Sequence, residues 1–341
     1  MTVSPLWRNR LAAICSAVLA LWLGTQLAQQ EFFWPMLVGG FLATLALTRF
    51  FQMPFDVIFL GGILFGYTAG NRGFAQVSLL SFFPLLPAEF VLLVAGAALL
   101  VQSAFRQVRP VRRDSLNLLI LLWMILCSLR IPLDVRAHGF NAIRDYATVY
   151  YAALFFIAQA LAAHARHRAW LLQCVIVGSI AMLVLYPLTE LFPGFFYDVL
   201  TLRGNALIAY KGDLVGTLLV AGGVLCYHRY EPTRPGWAAV ASLILIGASL
   251  ATNNRSSLVA LVSLLGLFAL ARRWRLPALV GAAGALSVAG ILFFAYLTNT
   301  PWRHTPLHGA YERAASIIDL AGTGRYTGAD TFFKGDNNRF R

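Results

Sequence analysis

Charge is scarce in this chain. Of its 341 residues only 12% are Asp, Glu, Lys or Arg, against 59% hydrophobic, where a soluble domain carries about a quarter charged residues. With a mean hydropathy of +0.70, that shortage excludes a water-soluble globular protein and leaves an integral membrane one. The apolar/polar alternation that a spanning β-barrel needs is missing as well. Lipid offers no partner for exposed amides, so the apolar stretches must be helices. Cysteine is limited to four residues, Cys15, Cys127, Cys174 and Cys226, each inside an apolar stretch and without metal-ligand spacing; they read as small core side chains. No small-x-small cleavage site follows the first apolar run, which makes it a retained helix rather than a signal peptide. No pore-type ring or selectivity sequence is present, which argues against a channel.

What the chain does have is long apolar stretches. A hydrocarbon core about 30 Å thick takes roughly 20 apolar residues per helix. Eleven stretches come near that length: residues 11–28, 34–48, 54–69, 88–105, 116–129, 147–163, 169–186, 214–227, 237–251, 256–271 and 276–297. The expected fold class is therefore all-α, a polytopic transmembrane helical bundle over residues 1–297, with residues 298–341 forming a polar segment outside it.

The arginines set the expected orientation. With the N-terminus cytoplasmic, every even-numbered turn is basic: Arg49; Arg106, Arg109, Arg112 and Arg113; Arg166 and Arg168; Arg229 and Arg234; Arg272, Arg273 and Arg275. That is the positive-inside pattern, and it accounts for about half of the basic residues behind the formal charge of +13. Nucleic acid is not an expected partner; anionic lipid headgroups are. The assignment puts Thr298 to Arg341 outside.

Arg130, Arg136, Arg144, Arg203, Lys211 and Arg255 are not required by topology. A cation near a helix end in a membrane needs a partner or a ligand. Arg144 and Asp145 precede an aromatic helix, where they either pair with neighbours or meet a ligand. The loop TLRGNALIAYKGD, Thr201 to Asp213, carries Arg203 and Lys211 between turn-forming residues. Asp213 reads as a helix cap in preference to a catalytic carboxylate. The run TNNRSS, Thr252 to Ser257, is a tight polar connection between two apolar helices. There Arg255 either snorkels to headgroups or joins the unpaired amides of the following helix in an anion site. Arg203 and Arg255 fall on the same predicted face, where two guanidinium groups could hold a pyrophosphate.

Three stretches, GFNAIRDYATVYYAALFF (Gly139–Phe156), the Arg203 loop and TNNRSSLVALVSLLGLFALARR (Thr252–Arg273), together with the terminal GDNNRFR (Gly335–Arg341), resemble the O-antigen ligase and polysaccharide polymerase group of bacterial inner-membrane proteins. The resemblance covers most of the chain. It implies a multi-pass inner-membrane glycosyltransferase of surface polysaccharide assembly, acting at the periplasmic face. A glycan on undecaprenyl pyrophosphate would pass to a hydroxyl of lipid A core, of another glycan unit or of a protein. It implies no cofactor and no metal, with arginines neutralising the leaving pyrophosphate. Arg203 and Arg255 match the family's pyrophosphate-binding arginines; Lys211, Arg144 and Arg339 complete the candidate set. The family also uses a periplasmic histidine as base, and the candidates are His304 and His308 in PWRHTPLHG. The family's histidine lies further along, and the chain stops at Arg341 inside what the resemblance makes a large periplasmic loop, so the sequence reads as a truncated product.

The alternative is a transporter or flippase of lipid-linked saccharide. Such proteins show internal repeats and charges near the midplane. No repeat is visible here, and Asp56 and Glu89 sit near span ends.

Overall fold

The computed structural model describes residues 5–29, 33–78, 86–106, 112–139, 142, 145–202, 204–252 and 254–311; the side chains of residues 5–15, 27, 33, 36, 37, 102, 106, 255 and 303 fall outside that description. The described chain is mostly helical: α1 (Pro5–Ala28), α2 (Phe33–Phe51), α3 (Phe55–Ala75), α4 (Pro87–Arg106), α5 (Ser115–His138), α6 (Ala147–Tyr150), α7 (Ala153–Leu161), α8 (Ala165–Leu191), α9 (Gly212–Tyr230), α10 (Pro235–Ala251), α11 (Arg255–Leu270) and α12 (Arg275–Leu297). Each apolar stretch of the sequence coincides with a helix, the sixth being divided between α6 and α7. Among the described residues four helices are long and apolar enough to cross a membrane: Pro87–Phe105, Ser115–His138, Ala165–Leu191 and Arg275–Leu297. Val38–Phe51 and Phe55–Ala75 add a fifth span if the pair, bent by 120° at its break, is counted as one.

One expectation is corrected. The fifth apolar stretch ends at Leu129, which leaves Arg130 and Arg136 beyond it, but α5 runs on to His138 through Pro132. Hydropathy stops at Leu129 because the residues turn polar, while the helix continues on local support, including an Arg130 Nε to Asp134 Oδ1 ion pair at 3.1 Å, four residues apart. The start of α5 is capped by Asp114, whose Oδ1 accepts the Asn117 amide at 2.9 Å and whose Oδ2 accepts Asn117 Nδ2 at 2.6 Å. The Asn117 amide, aided by the amide of Leu116 and the nearby Arg112, holds the Asp114 carboxyl below its ordinary value.

The chain divides into two compact units. In the first, formed by residues 1–64, 73–171 and 194–207, Leu60, Val91, Ala95, Ile157 and Leu171 make the core. Met53, Val57 and Ile58 pack under Trp170, and Arg166 donates to the Phe51 carbonyl. Glu89, at the start of α4, accepts from Tyr150 Oη at 2.6 Å and from the Leu86 amide at 2.9 Å. A small hairpin pairs Thr201–Leu202 with Asn205–Ala206, with Gly204 at φ +78°.

In the second unit, residues 65–72, 172–193 and 208–341, α9 is the central element. Its glycines let backbones close up, as small residues do between membrane helices. A Cβ on Gly222 would lie 2.4 Å from Ser179 Cβ of α8, one on Gly223 would lie 3.1 Å from the Ser242 carbonyl of α10, and one on Gly216 would lie 2.7 Å from Ser257 Cβ of α11. Val215, Leu219, Val220, Leu245, Ile246 and Leu276 are all buried to 2% exposure or less around it.

Polar side chains collect at both ends of α9. At its C-terminal end Arg273 Nη1 meets His228 Nδ1 at 2.8 Å, and Arg275 Nη1 pairs with Glu231 Oε1 at 3.1 Å. At its N-terminal end stand Lys211, Asp213, Asn254 and Ser256. The 19 residues between span about 28 Å at 1.5 Å per residue, close to a hydrocarbon core.

Candidate anion site

The N-terminal end of α9 is built from three pieces of chain in the second unit. Lys211 is the N-cap of α9, with φ −110° and ψ 116°, and no side chain caps the helix. Its carbonyl accepts the Leu214 and Val215 amides at 2.9 and 3.0 Å. Asn254 is the N-cap of α11, again extended at φ −103° and ψ 143°, and again without a side-chain cap bond. Asn254 Nδ2 is turned instead to the Thr252 carbonyl at 3.0 Å. Neither N-cap side chain bonds the first amides of its helix, and each start carries the positive end of a helix dipole.

The two starts are tied together. Ser256 Oγ donates to the Asp213 carbonyl at 3.0 Å, and a Cβ on Gly212 would lie 2.6 Å from Asn254 Nδ2, so a larger residue at 212 would turn the Asn254 amide aside. Thr252 Oγ1 lies 3.3 Å from the buried Ser257 Oγ. Lys211 Nζ pairs with Asp213 Oδ2 at 3.2 Å, both side chains well exposed, a weakly coupled pair that an anion can open to reach the ammonium. Asp213 is not the cap the sequence suggested. It sits inside the first turn and accepts the Leu214 amide at 3.0 Å, where a negative charge still favours the helix dipole.

The third piece is the broken end of α3. Asn71 interrupts that helix with φ 52° and ψ −127° and is 3% exposed. Its Oδ1 accepts the Arg72 amide at 2.8 Å and the Lys211 amide at 3.3 Å. The Ala209 amide donates to the Gly70 carbonyl at 3.3 Å, and Tyr210 Oη donates to the Ala69 carbonyl at 2.5 Å. The break is therefore bonded to the segment that enters α9, with the exposed Arg72 beside it. Sequence reading puts Arg72 in the second outward turn without a role and misses Asn71. The signal was AGNRG at Ala69–Gly73, an Asn-Arg step inside an apolar run that parallels the Asn-Arg step of TNNRSS.

Of the residues singled out from the sequence, Lys211 and the backbone of Arg255, the first residue of α11, meet at this end. Arg203, Arg144 and Arg339 lie outside the described residues, as does the Arg255 side chain. His304 closes a short 3-10 turn, Trp302–His304, just beyond α12, and is exposed. The His308 ring stands 6.1 Å from that of Trp302, edge to face. Both histidines follow a helix that buries Leu276 at its start, and from Gly281 to its end α12 is exposed or half-buried.

Such a site, with two helix starts, Lys211 and Arg72, is suited to an anion rather than a metal. Compared with known proteins, the chain matches no family model, no curated protein and no solved structure.

Proposed function

We propose that the chain is a multi-pass bacterial inner-membrane glycosyltransferase of surface polysaccharide assembly. In this reading it takes a glycan from undecaprenyl pyrophosphate and passes it to an acceptor hydroxyl on lipid A core, a further glycan or a protein. The observation that carries the reading is the joining of two helix N-termini whose N-cap side chains leave the first amides unbonded, with Lys211 as the N-cap of one and Arg255 as the first residue of the other. Anions bind at such ends, and a guanidinium adds a planar fork matched to phosphate oxygens.

The acceptor oxygen attacks the anomeric carbon of the glycan, the bond from that carbon to the pyrophosphate oxygen breaks, and the diphosphate leaves on its lipid. The hydroxyl proton passes to a base, for which His304 and His308 are the candidates. Lys211, Arg255 and the α9 and α11 amides stabilise the charge that develops on the leaving group. Losing one such donor costs about 10²–10³ in rate, and the amides and cations make a metal unnecessary. Arg203, Arg144 and Arg339 remain part of the proposed pyrophosphate set on the family resemblance.

Eleven spans with a cytoplasmic N-terminus fit the polar ends of the second unit. Arg273 and Arg275 gather at the end opposite Lys211, and the positive-inside rule turns that end to the cytoplasm. The Lys211 end then faces the periplasm. Helices such as α10 and α11 are short for a span, 17 and 16 residues, and cross with help from flanking residues or local thinning.

Binding of inorganic pyrophosphate, read by calorimetry on the full chain in lipid nanodiscs, tests the site. Binding lost in both Arg255→Ala and Lys211→Ala supports it, and unchanged binding in both refutes it. A flippase of lipid-linked saccharide is the second reading, favoured by the interruption of α3 at Asn71, since broken helices mark transporter sites. Proteoliposomes loaded with lipid-linked glycan separate the two: transfer product supports the enzyme, and glycan movement without product supports the flippase.

A further inference from the structure

The C-terminal part of α5 forms a second polar feature, in the first unit. Arg130, Asp134 and His138 recur at intervals of four, so they line one face of the helix. Opposite them come Asp145 and Tyr146, and these groups enclose a cavity of about 370 Å³ with Cys127, Ile131, Ala142 and Val149 on its apolar side. Its two walls are joined, because Ser128 Oγ of α5 and Tyr146 Oη share a hydrogen bond. Pro132 has no amide hydrogen to give the Ser128 carbonyl, which loosens the helix at this point.

The chemistry of the wall limits what enters. Two carboxylates, Asp134 and Asp145, oppose an anion, so this is not a second pyrophosphate site. Arg130 is paired with Asp134, which leaves Asp145 as the one unpaired charge among these three, and among the described residues no group of three or more His, Cys, Asp or Glu could hold a metal ion. A purely apolar ligand would strand the charged groups. What fits is a neutral ligand with hydroxyls on one edge and C–H groups on its face. Arg130 and Asp134 each use one edge on the other, and a guanidinium with five donors and a carboxylate with two oxygens have capacity beyond that bond. The volume lies at the small end of ligand cavities.

We propose that this cleft binds one sugar ring, with Asp134 and Asp145 accepting from its hydroxyls and Ile131 and Val149 against its face. The inference rests on the saccharide reading above and adds a residue-level site to it. The ring belongs either to the lipid-linked donor or to the acceptor glycan.

Saturation-transfer NMR on the full chain in nanodiscs, with glucose, galactose, mannose, rhamnose, N-acetylglucosamine and N-acetylgalactosamine as probes, tests it. At least one sugar is expected to bind, with affinity about tenfold weaker in Asp134→Asn and in Asp145→Asn. Ile131→Trp, which fills the cleft without touching its charges, is expected to abolish the signal at an unchanged melting temperature. No signal from any probe, or a signal indifferent to all three substitutions, overturns the proposal. A citronellyl-pyrophosphate-linked form of the bound sugar displaces the free sugar if the cleft takes the donor's ring and leaves it in place if the cleft takes the acceptor's. Pyrophosphate calorimetry on the same samples keeps the two sites apart: sugar binding without pyrophosphate binding removes the leaving-group site and leaves the cleft standing, and the converse removes the cleft alone.

Discussion

Gly216 offers the sharpest handle on whether packing positions the anion site. A Cβ there would meet Ser257 Oγ at 1.7 Å, Ser257 Cβ at 2.7 Å and Thr252 Oγ1 at 2.7 Å. The hydroxyl can rotate, but Ser257 Cβ is fixed to the backbone of the first turn of α11. Against the 3.4 Å at which ordinary contact begins, that atom is about 0.7 Å too close, so Gly216→Ala must push the start of α11 from α9 by a distance of that order. Ser257 is 1% exposed, so its side chain cannot swing out into solvent to relieve the contact. Overpacking of this kind costs about 1–3 kcal/mol. Arg255 lies two residues before Ser257 and moves with it, and a misplacement near 1 Å at a reacting centre costs about 10²-fold in rate.

Gly216→Ala is therefore expected to insert normally, melt at a lower temperature, bind inorganic pyrophosphate more weakly and lose most of its transfer activity. Two comparisons make the test specific. Gly281→Ala on α12, where nothing lies within 4 Å of the added Cβ, should leave both readouts intact. Adding Ser257→Gly to Gly216→Ala removes the offending Cβ and should restore part of the melting temperature. Gly216→Ala with the melting temperature of the parent refutes the close approach. A variant that melts lower but binds pyrophosphate and transfers normally refutes the claim that this packing sets the position of Arg255.

Arg255→Ala and Arg203→Ala are each expected to abolish transfer while membrane insertion is retained, and Arg255→Lys to be poor as well, because an ammonium loses the bidentate fork; glycan products analysed on gels check this, and EDTA added to the same assay should not reduce activity. Asn71→Gly should cost about 1–3 kcal/mol, because two amides lose their acceptor. Asn71→Ala should cost more, since it adds backbone strain at φ 52°; equal melting of the two variants would show that the break is unstrained. Asp114 titrates low because its carboxylate form holds the Asn117 amide, so its stabilising effect is present above the unfolded carboxyl value of about 3.9 and is lost as pH falls through the lower folded value. The gap in melting temperature between the parent and Asp114→Ala should be full at neutral pH and close in acid, and a gap independent of pH refutes the cap.

Helices were the most legible part of the sequence, because twenty apolar residues have no other stable form in lipid. Where the chain leaves lipid, hydropathy stops reporting on helicity. α5 was cut short at Leu129 for that reason, although Arg130 and Asp134 at i and i+4 carried the information needed to extend it. TNNRSS and the Lys211-Gly212-Asp213 step stood out as polar interruptions between apolar runs. Their joining was not legible, because it depends on a glycine at 216 that meets side chains more than 30 residues distant. Asn71 was missed for a related reason. Its partners are backbone amides of its neighbour and of a residue 140 positions away, and an Asn in an apolar run reads alike whether it faces a partner helix or ends its own.

The break at Asn71 bears directly on the choice between the enzyme and the flippase. A transporter needs its interrupted helix to change partners during the cycle. Here the interruption is fastened to the entry of α9 through Asn71 Oδ1 with the Lys211 amide, the Ala209 amide with the Gly70 carbonyl, and Tyr210 Oη with the Ala69 carbonyl. Moving α3 in a transport step would break all three bonds and uncover Asn71, each bond costing of the order of 1 kcal/mol. A break held in this way serves better as a fixed wall of a binding site, which is what stabilising charge on a leaving group requires. A disulfide joining Gly70→Cys and Ala209→Cys, whose backbones already meet in a hydrogen bond, fixed in proteoliposomes, tells the two apart: a transferase keeps making product with the bond formed, and a flippase stops moving glycan until it is reduced.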